Sequence, residues 1–261
     1  MSRGKRKLSG VYLLPNLITT SALFCGFYSI TLSILGNYSE SVIYILIAMI
    51  LDGLDGRVAR LTNTQTTFGE YYDSLSDMLC FGVAPALLIY LSSLSGFTSG
   101  YISKIANIAC FIYIAATAIR LARFNSRNQA SDKKYFVGLA SPAAAAILIC
   151  YVWLITDLNL YAGSYIFYTI TITLALSLLM VSNLAYASFK DFNFKQKVPI
   201  LTLFIISLII SFISFDPPKV LFVFFLLYGI SGPFLYILRK IRRNRYNDSD
   251  LRSNILDKKD E

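Results

Sequence analysis

The chain has 261 residues, 56% hydrophobic and only 15% charged, with a net charge of +9; this is too apolar for an ordinary soluble protein and puts most of the chain in lipid. It contains no histidine, which excludes a histidine base, a histidine metal ligand and a Ser-His-Asp triad and leaves any chemistry to carboxylates, Lys, Arg, Tyr or Cys. The positive charge does not call for nucleic acid, because basic segments beside a bilayer meet anionic headgroups at about 1 kcal/mol per residue.

Taken in chain order, residues 1–12 form a basic arm carrying Arg3, Lys5, Arg6 and Lys7. The apolar run that follows continues to a full span without a clear small-residue cleavage site, so it does not read as a signal peptide. A helix needs about 20 apolar residues to cross the hydrocarbon layer. Eight runs approach that length, at 13–36, 40–60, 69–94, 100–123, 137–156, 164–187, 198–215 and 219–238. The expected fold is therefore all-α and integral to the membrane, with about eight transmembrane helices.

With the N-terminus in the cytoplasm, 22 of the 24 Lys and Arg fall on the cytoplasmic side: four in the arm, Arg57 and Arg60, five from Arg120 to Lys134, Lys190, Lys195 and Lys197, and eight from Arg239 onward. Only Lys104 and Lys219 face out. The positive-inside rule thus supports cytoplasmic N- and C-termini and an even number of spans. Cys25, Cys80, Cys110 and Cys150 lie far apart within apolar runs, as buried small hydrophobes rather than a metal site or disulfide framework.

Five of the 15 acidic residues crowd into positions 52–77, and ionisable groups near spans usually mark function. Asp52 and Asp55 are three apart, and Asp73 and Asp77 four apart, so each pair projects from one face of a helix. The short polar segment from Thr62 to Thr67 predicts two antiparallel neighbouring helices whose acidic faces converge at the cytoplasmic surface. Four converging carboxylates would repel one another unless cations neutralised them. All-oxygen ligation suits Mg²⁺, Mn²⁺ or Ca²⁺, and a pair of such ions is a recurrent solution for displacement at phosphorus. Arg57 and Arg60 offer donors for a diphosphate. Gly56 and Gly69 allow a ligand or the facing helix to approach the backbone.

These residues resemble the signature of the CDP-alcohol phosphotransferases, D-x2-D-G-x2-A-R-x8-G-x3-D-x3-D, matched here at Asp52, Asp55, Gly56, Ala59, Arg60, Gly69, Asp73 and Asp77. The resemblance implies that Asp52, Asp55, Asp73 and Asp77 hold metal, two divalent ions in all, and that Asp77 takes the proton from an acceptor alcohol. It also implies that Asn16, Thr19, Gly56, Arg60 and Thr66 contact the CDP-linked lipid, and that the protein is a homodimer. Three further segments, Asp73 to Ala86, Ala118 to Asn125 and Gly138 to Ala143, are similar to bacterial and archaeal phosphatidylserine synthases. One departure is Ala140, where that subfamily more often has proline. The implied substrates are CDP-diacylglycerol and L-serine, with glycerol 3-phosphate, an inositol phosphate or choline as alternative acceptors.

The implied organisation is an arm at 1–12, a catalytic membrane domain at 13–190, two additional helices at 191–238 and a charged cytoplasmic tail at 239–261. Arg120 and Arg123 end the fourth span about one turn apart; one of them is expected to pair with the serine carboxylate or the diphosphate, the alternative being headgroup anchors. A cation-coupled transporter is the rival class, but it calls for acidic residues near the bilayer midplane and paired repeats. The acidic residues here gather at one face, and no repeat is evident.

Overall fold

Eight helices appear among the described residues, which in this computed structural model are 13–95, 100–127, 135–160, 162–187 and 200–257. They are α1 (Leu13–Ile34), α2 (Tyr38–Leu61), α3 (Thr67–Leu94), α4 (Tyr101–Arg127), α5 (Ser141–Asp157), α6 (Ile166–Val181), α7 (Ile200–Phe215) and α8 (Pro217–Asp257). Four are long and apolar enough to cross a membrane: α1, α3, α4 and the Pro217–Leu238 part of α8. α5 and α6 are shorter apolar helices. The order of elements follows the hydropathy pattern, with two differences. Short strands β1 (Tyr135–Val137) and β2 (Ala185–Ala187) pair antiparallel, and α8 runs without a break past residue 238 to Asp257. The N-terminal arm, Asp132, Lys133, Lys134, Lys190, Asp191, Lys195 and Lys197 lie outside the described residues.

Small residues set how closely the helices approach. α1 and α2 form the tightest pair, joined at one end by the buried hydroxyls of Ser29, Ser33 and Ser41, with Ser41 2.7 Å from each of the other two. A Cβ at Gly26 would sit 2.7 Å from Cys80 Sγ, so only glycine lets α1 lie this close to α3. The alanine run of α5 is wholly buried from Ala144 to Ala146, which puts this helix at the centre with α2, α3 and α8 against it. All four cysteines are buried and unbridged.

Two prolines interrupt long helices, and the freed carbonyls are both capped by tyrosine. Pro85 has no N–H to offer the carbonyl of Phe81 four residues back; the helix widens into π-type turns over Met78–Val83, and the Tyr113 hydroxyl donates to Phe81 O at 3.0 Å. Pro233 likewise abandons Gly229 O, which accepts from the Tyr186 hydroxyl at 3.0 Å. Inside a bilayer such carbonyls have no water to turn to. We expect Tyr113→Phe or Tyr186→Phe to cost about 1–3 kcal/mol, read as a lower melting temperature of the detergent-solubilised protein.

Candidate active site

The turn between α2 and α3 is built by its threonines and one left-handed residue. Asn63 takes φ 53°, Thr62 and Thr64 hydroxyls meet at 2.7 Å, and Thr66 caps α3 by accepting from Gly69 N at 3.0 Å. α3 then leans on α1 rather than α2. Thr20 and Tyr72 hydroxyls lie 2.9 Å apart, and Ser76 and Cys80 donate to the Thr19 and Ala22 carbonyls. α2 meets α3 along Met78–Ile89 and at the carboxylates of Asp52, Asp55 and Asp73. The acidic faces of the two neighbouring helices thus converge as their spacing predicts, with the end of α1 packed beside both through Thr19, on Asp55 and on Ser76, and a cleft opens there.

At the base of that cleft Asp52, Asp55 and Asp73 each offer a carboxylate oxygen, all within 4.8 Å of one another. Asp77 lies beside the cluster, within electrostatic reach of Asp52 and Asp73. Asp55 is only 4% exposed and accepts from Thr19 Oγ1 at 2.6 Å. Asp73 Oδ1 is buried with no hydrogen-bond partner. An orphaned carboxylate oxygen beside two others, with no Lys or Arg paired to them among the described residues, is a donor set that fits a hard divalent cation.

A pocket of about 130 Å³ opens above the carboxylates. It is lined by all five residues expected to touch the CDP-linked lipid, namely Asn16, Thr19, Gly56, Arg60 and Thr66, together with Asp55 and Asp73. The two arginines of the signature region part company, since Arg60 lines the pocket and Arg57 does not. The two glycines also differ. A Cβ at Gly69 would meet Thr66 Oγ1 at 3.2 Å and Asn16 Oδ1 at 3.5 Å, whereas one at Gly56 would meet nothing. Gly56 is therefore bare towards the pocket, not packed on a facing helix.

Arg120 and Arg123 point to different places. The Arg120 guanidinium lies within electrostatic reach of Asp77, and its Nη1 donates to Ser141 Oγ at 2.7 Å. Arg123 Nη1 instead reaches the Ser182 carbonyl and Asn183 Oδ1 beyond the end of α6, at 3.5 and 3.4 Å. A cation there complements the negative end of that helix. Asn125 ties α4 to α3 by donating to Ser74 Oγ at 2.9 Å. Sequence reasoning missed the Thr19–Asp55 contact, although the hydroxyl and the carboxylate had each been singled out. It also missed Ser141, whose partner lies 21 positions away.

A family model described as CDP-alcohol phosphatidyltransferase matches residues 12–231. The chain is 37% identical over 242 residues to the CDP-diacylglycerol–serine O-phosphatidyltransferase of Helicobacter pylori (strain ATCC 700392 / 26695), covering 91% of this chain and 98% of that protein. It is 35% identical over 206 residues to the protein of the same name from Methanocaldococcus jannaschii, covering 79% and 87% of the two chains. To the archaetidylserine synthase of Methanothermobacter thermautotrophicus it is 33% identical over 183 residues, covering 69% and 72%. On the motif, the helical fold and these matches, the chain belongs to the CDP-alcohol phosphatidyltransferase family.

Proposed function

We propose that this protein transfers the phosphatidyl group of CDP-diacylglycerol to the hydroxyl of L-serine and releases CMP. The observation that carries the reading is the meeting, at one end of the helices, of a carboxylate cluster suited to divalent cations and a pocket lined by the signature residues. The names of the relatives supply the acceptor alcohol. In this reading Asn16, Thr19, Gly56, Arg60 and Thr66 hold the CDP moiety, and Asp52, Asp55, Asp73 and Asp77 hold two ions, Mg²⁺ or Mn²⁺. When bound, the ions offset charge on the diphosphate oxygens.

The serine oxygen attacks the lipid-side phosphorus, a new P–O bond forms, and the bond to CMP breaks. Asp77 takes the hydroxyl proton as the bond forms. Arg60 steadies the negative charge gathering on the departing CMP phosphate. In this reading about eight helices cross the membrane, four of them long and apolar enough on their own, with both termini and the site on the cytoplasmic side of the cell membrane, as the distribution of Lys and Arg supports. The layout of arm, catalytic domain, two further helices and tail accompanies this reading, as does a homodimeric assembly.

Thr19 steadies Asp55 as well as touching the lipid nucleotide, because partners of a metal-holding carboxylate set its orientation. Thr19→Val should raise the Mg²⁺ concentration for half-maximal CMP release by about tenfold or more. The whole reading is tested by CMP release from CDP-diacylglycerol by detergent-purified protein, with Mg²⁺ or Mn²⁺ and a panel of serine, glycerol 3-phosphate, inositol phosphate and choline. Serine is expected to be the productive acceptor; turnover with another alcohol and none with serine would overturn the assignment.

A further inference from the structure

We infer that Ser141 and Tyr228 are specificity-determining residues that hold Arg120 ready for the carboxylate of the acceptor amino acid. The inference rests on the serine reading above and gives the last helix a part in the site. Arg120 lies within electrostatic reach of Asp77, and neither residue lines the nucleotide pocket. An acceptor held by Arg120 beside Asp77 therefore does not compete with the CDP moiety for the pocket.

Three observations point to an anion there. First, Ser141 is fully buried, opens the 17-residue α5, and takes one guanidinium nitrogen at 2.7 Å. Second, Arg120 Nε is buried and has no hydrogen-bond partner; with Nη1 taken by Ser141, the edge that includes Nε remains for a ligand, and carboxylates pair with guanidinium edges in a bidentate way. Third, a buried cation beside a helix N-terminus has the wrong sign for the helix dipole. An anion bridging the two removes that conflict, and the protein's own nearby carboxylate, Asp77, is committed to the cluster.

Tyr228 adds a residue from α8. It packs on the core, its phenol lies within electrostatic reach of Arg120, and its ring stands 5.8 Å from that of Tyr186. The register of α8 is fixed by Tyr186, which donates to Gly229 O and fills the space a Cβ at Gly232 would need. This packing keeps Tyr228 of α8 within electrostatic reach of Arg120.

The test uses the full-length protein in detergent and compares serine with ethanolamine, which is serine without its carboxylate. Ser141→Ala, which loses a hydrogen bond to a charged group, and Tyr228→Phe, which loses the phenol within electrostatic reach of Arg120, are each expected to raise the KM for serine roughly tenfold, while the KM for CDP-diacylglycerol stays within twofold. The preference for serine over ethanolamine, as the ratio of kcat/KM, should fall by a similar factor, and Ser141→Thr should keep most of it. Serine KM values within twofold of the parent in both variants, or equal losses with the two alcohols, would overturn the inference. A parent protein that releases CMP with neither alcohol would instead sink the underlying serine reading.

Discussion

Asp77→Asn is expected to bind CDP-diacylglycerol as the parent does and to release CMP at least a hundredfold more slowly. Asp77 lies within electrostatic reach of Asp52 and Asp73 but outside the trio of oxygens that approach within 4.8 Å. Exchanging its oxygen for an amide therefore leaves the three-carboxylate donor set in place. It also lies within electrostatic reach of Arg120, the residue proposed to hold the acceptor. Loss of a positioned base costs about 10²–10⁴-fold in rate. Single-turnover CMP release together with equilibrium binding of CDP-lipid separates the two effects. Near-parental turnover would remove Asp77 as the base.

Removal of divalent ions should have an effect at least as large. Within 4.8 Å of one another, two unit negative charges repel by at least roughly 3 kcal/mol at an effective dielectric of 20, so the trio holds its three charges together only with a cation among them; Thr19 supplies a single hydrogen bond. EDTA should therefore take CMP release below detection with every acceptor, and Mg²⁺ or Mn²⁺ should restore it. Asp73→Asn should not be restored at any metal concentration. Full activity in EDTA would show that the carboxylates work without a cation.

That the candidate-site residues come together was largely legible in the sequence, because residue type and spacing carry it. Asp52 with Asp55, and Asp73 with Asp77, announce one-sided helical pairs, and the glycines and Arg60 between them announce an open, anion-binding turn. The shape of the cleft was not legible. It depends on how α1 packs against α3 through Gly26, Cys80 and Ser76, contacts that local periodicity does not encode. Pro85 and Pro233 could be read as helix interruptions, but the tyrosines that cap their freed carbonyls come from other elements. The same holds for Arg120 and Arg123: one turn apart on α4, they belong to different neighbourhoods because α5 and the end of α6 claim one each.

Binding of Mn²⁺ to the purified protein, followed by electron paramagnetic resonance without any substrate, tests the cation cluster directly. The parent should bind Mn²⁺ saturably, and the double variant Asp52→Asn with Asp73→Asn should lose that binding while keeping its helical content. A folded double variant that still takes up Mn²⁺ with the parent's affinity would contradict it.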